Sequence, residues 1–270
     1  MTLISVVIIT KNEAYHIRDC IRSAKLISHD IIVVDCGSTD NTVRIAIKEG
    51  ARVINVNWQC YGHSRNTGAA AARHEWVLAL DADERISTGL AKLLLQLPLH
   101  APCIYKIKRE NFFGSKKLHY GTLGFERVSR LYHRQFTQWD LFPVHEQLTG
   151  RLKKKVLRQS ILHFGIPAFA DLVAKKEHYA ILSAWKYLQQ GKKPTLVKRF
   201  FAPAFDGIKS YVFQLGFLDG KKGWQIASTI SYYTWLKYKY LEELYQQRHL
   251  SKEASPLGYP AFPASIRPFS

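Results

Sequence analysis

Residues 76–84, which read WVLALDADE, decide the fold class of this chain of 270 residues. An uninterrupted apolar run of this kind is typical of a strand that is buried on both faces of a sheet. The run ends directly in the carboxylates of Asp81, Asp83 and Glu84. Because charged side chains are almost never fully buried without a partner, these residues mark the carboxyl end of the strand.

The segments before this strand alternate between apolar runs typical of strands and apolar residues at helical spacing. Residues 3–9, 30–35 and 51–56 are short runs rich in Val and Ile, which predict further buried strands. Apolar residues recur at helical spacing between them, in residues 17–24, 43–47 and 66–73. The alternation predicts an α/β fold with a mostly parallel central sheet and helices on both faces. Ligands of such sheets bind at the carboxyl ends of the strands, where Asp35 and Asp81 lie.

The second half of the chain has a different pattern and most of the charge. Residues 103–109 and 128–132 predict strands, and residues 171–190 predict a helix. Of the net charge of +18, residues 1–100 contribute +1 and residues 101–270 contribute +17. This asymmetry predicts an anionic partner for the second half, which could be nucleic acid, a phosphorylated substrate or an acidic membrane surface.

The cysteines and the N-terminal residues predict the cellular compartment of the protein. The four cysteines form no C-x-x-C pair, so neither a zinc site nor a redox motif is predicted, and reduced cytoplasmic thiols are the simplest explanation. Residues 1–9 lack the basic region and the cleavage site of a signal peptide. No run of about 18 apolar residues is present, so no transmembrane helix is predicted.

The Asp81-Ala82-Asp83 motif predicts a divalent cation. Two carboxylates at positions i and i+2 after a buried strand can chelate Mg²⁺ or Mn²⁺, or divide their contacts between a metal and ligand hydroxyls. An EF-hand is excluded, because Ile86 stands at the loop position that requires glycine. The alternative is that the carboxylates only cap the turn after the strand.

Two further polar stretches follow predicted strands, at residues 10–13 (TKNE) and 35–38 (DCGS). Carboxylates at adjacent strand ends can accept hydrogen bonds from a base imide and from ribose hydroxyls, as binding of uridine requires. Capping of the following helices is the alternative, and it suits Ser38 and Asp40 better than Asp35. The glycine motifs of dinucleotide-binding folds and P-loop enzymes are absent from the sequence.

Four stretches taken in order resemble the signatures of glycosyltransferase family 2. They are residues 5–13 (SVVIITKNE), 33–42 (VVDCGSTDNT), 65–69 (RNTGA) and 80–84 (LDADE). The resemblance implies a GT-A fold, an inverting mechanism and a nucleoside-diphosphate-sugar donor.

Shorter stretches of the second half are similar to the lipopolysaccharide-core branch of that family, whose better-known members are glucosyltransferases that add to inner-core heptose. They are residues 125–132 (FERVSRLY), 144–146 (VHE), 162–164 (LHF) and 216–220 (GFLDG). The resemblance implies transfer of a hexose, with glucose as the first choice, from a UDP-sugar to an anionic, lipid-linked glycan. A different polysaccharide or a protein is the alternative acceptor.

The resemblance assigns roles to named residues. Thr10, Glu13 and Asp35 would contact the nucleoside, and Arg65 the nucleotide or its diphosphate. Asp81 would contact the ribose and Asp83 the metal, with Asp81 as a further metal ligand. His163 would close the metal site from the second half. The donor-binding residues as a group are Thr10, Asn12, Glu13, Asp35, Ser38, Arg65 and Asp81.

Inversion requires a base that takes the proton of the acceptor hydroxyl as this attacks the sugar from the opposite face. We expect Glu146 to be this base, with Asp140 as the second candidate and Glu126 as the third. The sequence lacks the Glu-Asp or Asp-Asp pair that many members have at this place, which leaves the choice between Glu146 and Asp140 open.

The predicted organisation is a GT-A catalytic domain at residues 1–165, with a donor-binding half at 1–100 and an acceptor-side half at 101–165. A helical region at 166–250, rich in basic and aromatic residues, would attach the enzyme peripherally to the cytoplasmic face of the inner membrane. Residues 251–270 would form a proline-rich tail. The cations expected to contact lipid are Lys221, Lys222, Lys237 and Lys239.

Two other functions fit the sequence less well. A sugar nucleotidyltransferase would need a Gly-rich, basic loop after the first strand, where this chain has residues 10–13. A nucleic-acid-binding module would explain the basic half, but it would leave Asp35, Asp81 and Asp83 where phosphates are repelled. We therefore expect no nucleic-acid partner, and the sequence predicts no oligomeric state.

Overall fold

The computed structural model describes residues 3–142 and 146–250, with the backbone alone for the last three of them. The chain divides into two compact units after Pro167. The tail predicted for residues 251–270 lies outside the described residues, as do residues 144–145 of the second-half resemblance.

The first unit begins with a parallel sheet whose central strands β1 and β2 are buried throughout. In chain order its elements are β1 (Ile4–Thr10), α1 (Ile17–Ala24), β2 (Ile31–Asp35), α2 (Thr42–Lys48), β3 (Arg52–Asn55), α3 (Tyr61–Ala70) and β4 (Trp76–Asp81). The strands lie parallel in the order β3-β2-β1-β4. Their carboxyl ends therefore share one edge of the sheet.

Helices cover both faces of β1, as the continuous apolar run predicts. Val6 and Ile8 belong to the core beneath α1, whereas Val7 and Ile9 belong to the core beneath α3. A side-chain carbon built on Gly68 would lie 2.3 Å from Val7 Cγ1, so glycine is required for α3 to lie this close to the sheet.

The sheet continues with strands that run in both directions. Its further elements are β5 (Glu84–Ile86), α4 (Thr88–Gln96), β6 (Cys103–Phe113), β7 (Lys116–Lys117), α5 (Gly121–Gly124), β8 (Arg127–His133) and β9 (Lys153–Ile166). From β4 onward the order is β8, β6, β9 and β5, and β7 pairs with the end of β6. β8 is antiparallel to β4 and β6, β9 is parallel to β6, and β5 is antiparallel to β9. The predicted α/β fold of GT-A type is thereby confirmed.

The sequence prediction missed β9 and placed the start of α3 too late. β9 was not predicted, because it begins with three lysines; its first residues pair with β6 on one side only, and lysine is common on such an edge. The helix predicted at residues 66–73 is α3, which begins earlier, at Tyr61. Cys60 caps its start, because the Cys60 side chain accepts from the His63 N–H.

Three helices form the second unit, so the predicted helical C-terminal region is confirmed. They are α6 (Phe169–Gln189), α7 (Leu196–Ile208) and α8 (Lys221–Leu250), and α6 replaces the helix predicted at residues 171–190. A π-helical turn (Lys209–Phe213) and a 3₁₀ turn (Gly216–Asp219) connect α7 to α8. α6 and α7 both pack against α8. Over the described part of the chain, every helix is too short or too polar to cross a bilayer.

Asp30 holds the amino end of β2 in place. Its buried carboxylate accepts hydrogen bonds from Ser5 Oγ at 2.6 Å, Arg52 Nη2 at 2.8 Å and the Arg73 N–H at 2.8 Å. Burial alone would raise the pKa of Asp30, but these donors outweigh burial and lower the pKa.

We expect Asp30→Asn to lower the free energy of unfolding by about 1–3 kcal/mol at neutral pH, because charge-assisted hydrogen bonds of a buried group are lost. The folded-state pKa is the lower one, so the contribution is full above the ordinary aspartate pKa of about 3.9 and is lost as the pH falls through the folded-state value. Urea unfolding at several pH values measures the difference. Asp19→Asn is the control, since its ion pair with Arg85 is partly exposed. A loss of stability in Asp30→Asn that is the same at acidic and at neutral pH would contradict this role of Asp30.

Candidate active site

The turn between β4 and β5 carries the acidic motif. β4 ends at Asp81 and β5 begins at Glu84, so Asp83 lies in the tight turn between the strands. β5 pairs with β9 so that Glu84 is opposite His163, and the Phe164 N–H donates to the Asp83 carbonyl at 2.9 Å. This pairing places Asp83 Oδ2 3.3 Å from His163 Nε2.

Asn111 of β6 sets the orientation of the His163 ring. Its Nδ2 donates to the Leu123 carbonyl at 2.7 Å and to Glu126 Oε2 at 3.1 Å, which leaves Oδ1 as the acceptor on the other side. That oxygen lies 2.6 Å from His163 Nδ1, so we infer that Nδ1 carries the proton. Nε2 is then the ring nitrogen that faces Asp83, as in metal-binding histidines oriented by a second residue.

Gly165 leaves space in front of this pair. A side-chain carbon built there would lie 2.5 Å from both Asp83 Oδ2 and His163 Nε2, well inside van der Waals contact. A carboxylate oxygen and an imidazole nitrogen suit a divalent cation such as Mn²⁺. In residues 3–142 and 146–247, no set of three His, Cys, Asp or Glu side chains is grouped to hold a metal ion. Asp83 and His163 thus offer one carboxylate oxygen and one imidazole nitrogen to a cation.

Both oxygens of Asp81 face arginines. Oδ1 accepts from Arg65 Nη2 at 2.6 Å, and Oδ2 accepts from Arg130 Nη2 at 2.5 Å. Burial alone would raise the pKa of Asp81, but Arg130 and Arg65 outweigh it and hold the pKa far below the usual range. Chelation of one cation by Asp81 together with Asp83 stays a prediction, and the contact that the structure gives Asp81 is with the arginines.

Glu84 is fully buried and extends these ion pairs. Its Oε1 accepts from Arg130 Nη2 at 2.8 Å and Arg109 Nη1 at 3.3 Å, and its Oε2 accepts from the Asp81 N–H at 3.0 Å. Arg109 also forms a bidentate pair with Glu126, at 2.9 and 2.6 Å. Glu126, the third candidate base, therefore has both oxygens bound to one arginine.

Arg65 connects the ion pairs to the loop of the candidate bases. Its buried guanidinium donates from Nε to Glu146 Oε1 at 3.1 Å and lies 5.0 Å from the centroid of the Trp139 ring. Its Nη1 is buried and has no hydrogen-bond partner among the described residues. Because a buried donor without an acceptor is destabilising, this atom is suited to an anionic ligand group.

α3 also fixes the loop that carries Asp140 and Glu146. The side chain of Asn66 accepts from the Trp139 N–H at 2.9 Å and donates to the Trp139 carbonyl at 2.9 Å. The two candidate bases thus lie on one anchored loop, and Glu146 is the one that contacts Arg65.

The predicted nucleoside residues lie in the loops after β1 and β2. Asn12 has a left-handed backbone (φ 54°); its Oδ1 accepts from the Thr39 N–H at 2.8 Å, and its N–H donates to Ser38 Oγ at 2.8 Å. The Glu13 N–H donates to Thr42 Oγ1 at 2.8 Å. These hydrogen bonds tie the two loops together.

Asp35 and Thr10 end β2 and β1. The Asp35 carboxylate accepts from the N–H groups of Gly37 at 3.0 Å and Ser38 at 2.8 Å, and from Ser38 Oγ at 2.5 Å. The Asp35 carboxylate therefore caps its own turn. From the sequence, capping was a better interpretation for Ser38 and Asp40 than for Asp35. Thr10 Oγ1 is buried without a hydrogen-bond partner in the described part of the chain.

Several site residues were missed from sequence. Arg109 and Asn111 on β6 and Arg130 on β8 are buried or half-buried. Both strands contain further charged and polar residues, so no sequence signal distinguished these three. His16, just before α1, interacts electrostatically with Asp83. Burial lowers the pKa of His16, and Asp83 opposes this effect.

We expect Glu84→Gln to lower the free energy of unfolding of the first unit by about 3–5 kcal/mol, because it removes the charge that neutralises Arg130 and Arg109. Urea unfolding measures the change. Glu243→Gln, which breaks a partly exposed ion pair with Lys239, is the matched control and should change stability by less than about 1 kcal/mol. Equal stability of wild type and Glu84→Gln would contradict a structural role for the ion pairs.

The chain is similar to bacterial glycosyltransferases. It is 28% identical over 240 residues to an uncharacterised glycosyltransferase of Rickettsia bellii, a match that covers 78% of this chain and 82% of the relative. It is 27% identical over 217 residues to the lipopolysaccharide core biosynthesis glycosyltransferase LpsC of Rhizobium meliloti, with 77% of this chain and 80% of the relative covered.

Among solved structures, part of the chain is similar to glucosyl-3-phosphoglycerate synthase from Mycobacterium tuberculosis, crystallised with Mn²⁺, UDP and glucosyl-3-phosphoglycerate. The two are 26% identical with a TM-score of 0.34, and the match covers 41% of this chain and 44% of that chain. The matched part thus spans less than half of the solved structure.

A family-level match covers the sheet and the site described above. The sequence pattern of glycosyl transferase family 2 matches residues 5–158, which is more than half of the chain. The matched range contains the acidic motif, Arg65 and both candidate bases. The chain therefore belongs to glycosyl transferase family 2.

Proposed function

We propose that this chain is an inverting glycosyltransferase that moves a hexose from a UDP-sugar to a lipid-linked glycan. The observation that carries the proposal is the position of three groups of atoms at the carboxyl ends of neighbouring parallel strands. These are the loops after β1 and β2, the unsatisfied Nη1 of Arg65, and the Asp83–His163 pair after β4.

Donor binding would divide among these groups. Thr10, Glu13 and Asp35 would bind the uridine, in loops that Asn12 and Ser38 tie together. Arg65 would donate from Nη1 to the diphosphate. Its other nitrogens Nε and Nη2 are already held by Glu146 and Asp81, so the guanidinium needs no reorientation to bind an anion.

We propose that Asp83 and His163 hold Mn²⁺ or Mg²⁺. When bound, the metal would offset the negative charge that develops on the departing diphosphate. Asn111 keeps the proton of His163 on Nδ1 and so keeps Nε2 available, and Gly165 leaves the space in front of both ligands open.

In the proposed reaction, the acceptor oxygen bonds to the anomeric carbon as the bond from that carbon to the diphosphate oxygen breaks. The electron pair of the broken bond leaves with the diphosphate, and the acceptor proton passes to a carboxylate. We propose Glu146 for this role, because its contact with Arg65 keeps it next to the proposed diphosphate site. Asp140, on the same loop, is the second candidate.

The acceptor we propose is an anionic glycan of lipopolysaccharide-core type, reached at the cytoplasmic face of the inner membrane. The similarity to LpsC supports this class of acceptor. The charge of +17 carried by residues 101–270 supports an anionic acceptor. A different polysaccharide or a protein is the alternative acceptor, and either would use the same donor site.

We expect Asp83→Asn to weaken Mn²⁺ binding in the presence of UDP by at least about tenfold, because one of two protein ligands loses its charge. Electron paramagnetic resonance of the free ion measures the affinity. Gly165→Ala keeps both ligands but inserts a methyl group against them, so it should weaken Mn²⁺ binding as well. Glu75→Gln, which removes a carboxylate just before β4, is the control. Unchanged Mn²⁺ affinity in Asp83→Asn would remove the metal role.

Glu146→Gln should retain UDP binding and lose about a thousandfold in the rate of transfer, because the amide keeps the size of the side chain but cannot accept the proton. The assay follows labelled hexose from UDP-glucose into membrane glycolipid, with UDP binding measured by calorimetry. Asp140→Asn is the matched variant and should keep near-normal turnover. If Asp140→Asn lost transfer while Glu146→Gln kept it, Asp140 would be the base.

A further inference from the structure

Helix α7 of the second unit exposes its apolar side chains. The exposed fraction of these residues ranges from 51% at Ile208 to 71% at Phe201. A surface helix of a globular protein normally turns such residues towards the core. The exposed apolar residues of α7 are Leu196, Val197, Phe200, Phe201, Phe205 and Ile208.

The side of α7 that packs against α8 carries polar contacts instead. Arg199 forms an ion pair with Glu242 of α8, and Asp206 Oδ2 accepts from Thr234 Oγ1 of α8 at 2.8 Å. Pro203 is the buried residue of α7. The amphipathic character of α7 is therefore reversed, with the apolar side chains outside and the charged contacts within the unit.

The exposed apolar surface continues through the turns that lead to α8. Gly216 and Gly223 fold the chain tightly there, because a side-chain carbon on Gly223 would lie 1.8 Å from the Gly216 carbonyl oxygen. Further large apolar residues stay exposed in this stretch, namely Val212, Phe213, Leu215, Phe217, Leu218 and Trp224. Together with the six residues of α7, they form what we call the apolar face.

Basic residues accompany the apolar face. Five exposed lysines lie within or next to the same stretch of chain, at Lys192, Lys193, Lys198, Lys209 and Lys221. The acidic residues between positions 192 and 224 are Asp206, which accepts from Thr234, and Asp219, which is buried. The surroundings of the apolar face are therefore positively charged.

We propose that the apolar face inserts into the interfacial region of a bilayer that contains anionic lipid. Aromatic and aliphatic side chains of an in-plane helix enter the boundary of the acyl chains, while lysines reach the headgroup phosphates. Phe201 and Phe213, each 71% exposed, would enter it. A second copy of the chain would instead bring two lysine-rich surfaces together, so anionic lipid is the partner of complementary charge. The inference adds to the proposed function, which places the acceptor at a membrane, by assigning membrane attachment to residues of the second unit.

Lys237 does not belong to this surface, so the prediction that it contacts lipid is wrong. Its Nζ lies 5.0 Å from the ring centroid of Tyr187, 5.5 Å from that of Tyr233 and 4.9 Å from that of Tyr238. Only 9% of the residue is exposed, and burial lowers its pKa. Lys237 thus lies within the packing of α6 against α8.

The test is co-sedimentation of the full chain with vesicles of phosphatidylcholine, pure or with roughly one quarter phosphatidylglycerol. Wild type should bind the anionic vesicles more tightly, and added salt should weaken this binding. Phe201→Glu/Phe213→Glu should reduce partitioning by at least about tenfold, because both carboxylates would enter the apolar boundary. Ile47→Glu, at an isoleucine of the first unit that is 60% exposed, is the matched control and should bind like wild type.

Calorimetric titration with UDP separates this proposal from the proposed function. The double variant should bind UDP as wild type does, so a loss of lipid binding cannot be attributed to a damaged donor site. Vesicle binding that is undiminished in the double variant, or absent in wild type, would overturn the proposal. A wild-type dimer that the same variant dissociates, with vesicle binding unchanged, would assign the apolar face to self-association and overturn it too.

Discussion

Asp81 and Glu84, at the two ends of the turn between β4 and β5, bind arginines from three separate elements. Arg65 comes from α3, Arg130 from β8 and Arg109 from β6. Buried cations are tolerated only with such partners, so each arginine fixes its own element relative to β4. These ion pairs therefore hold the parallel half of the sheet to the mixed half, at the edge where ligands of α/β proteins bind.

These ion pairs leave a small number of atoms to a ligand. Arg65 Nη1 and Thr10 Oγ1 are buried without partners in the described residues, and Asp83 faces His163 across the space that Gly165 leaves. The two aspartates of the acidic motif therefore have different environments: Asp81 binds arginines, and Asp83 faces His163, where we propose that a cation binds. The second unit, with its apolar face and its lysines, adds the surface that we assign to lipid.

Much of the fold was predictable because β1, β2 and β4 are continuous apolar runs that end in polar residues. Only the family resemblance predicted that His163 lies near Asp83. The contact depends on the pairing of β5 with β9, and β9 is hard to recognise as a strand in the sequence because it begins with three lysines. Capping by Asp35 could not be separated from nucleoside binding, because both use the same oxygens. The burial of Lys237 depends on tertiary packing, which a sequence pattern does not contain.

We propose that nucleotide and metal bind together, at Arg65 and at the Asp83–His163 pair. Calorimetric titration of the wild-type protein with UDP, once with Mn²⁺ and once with EDTA, tests it most directly. We expect saturable binding that Mn²⁺ strengthens by at least about tenfold, because Asp83 and His163 would hold a metal whose charge favours a bound diphosphate. Binding of equal strength in EDTA, or none by the folded protein in either condition, would contradict the claim.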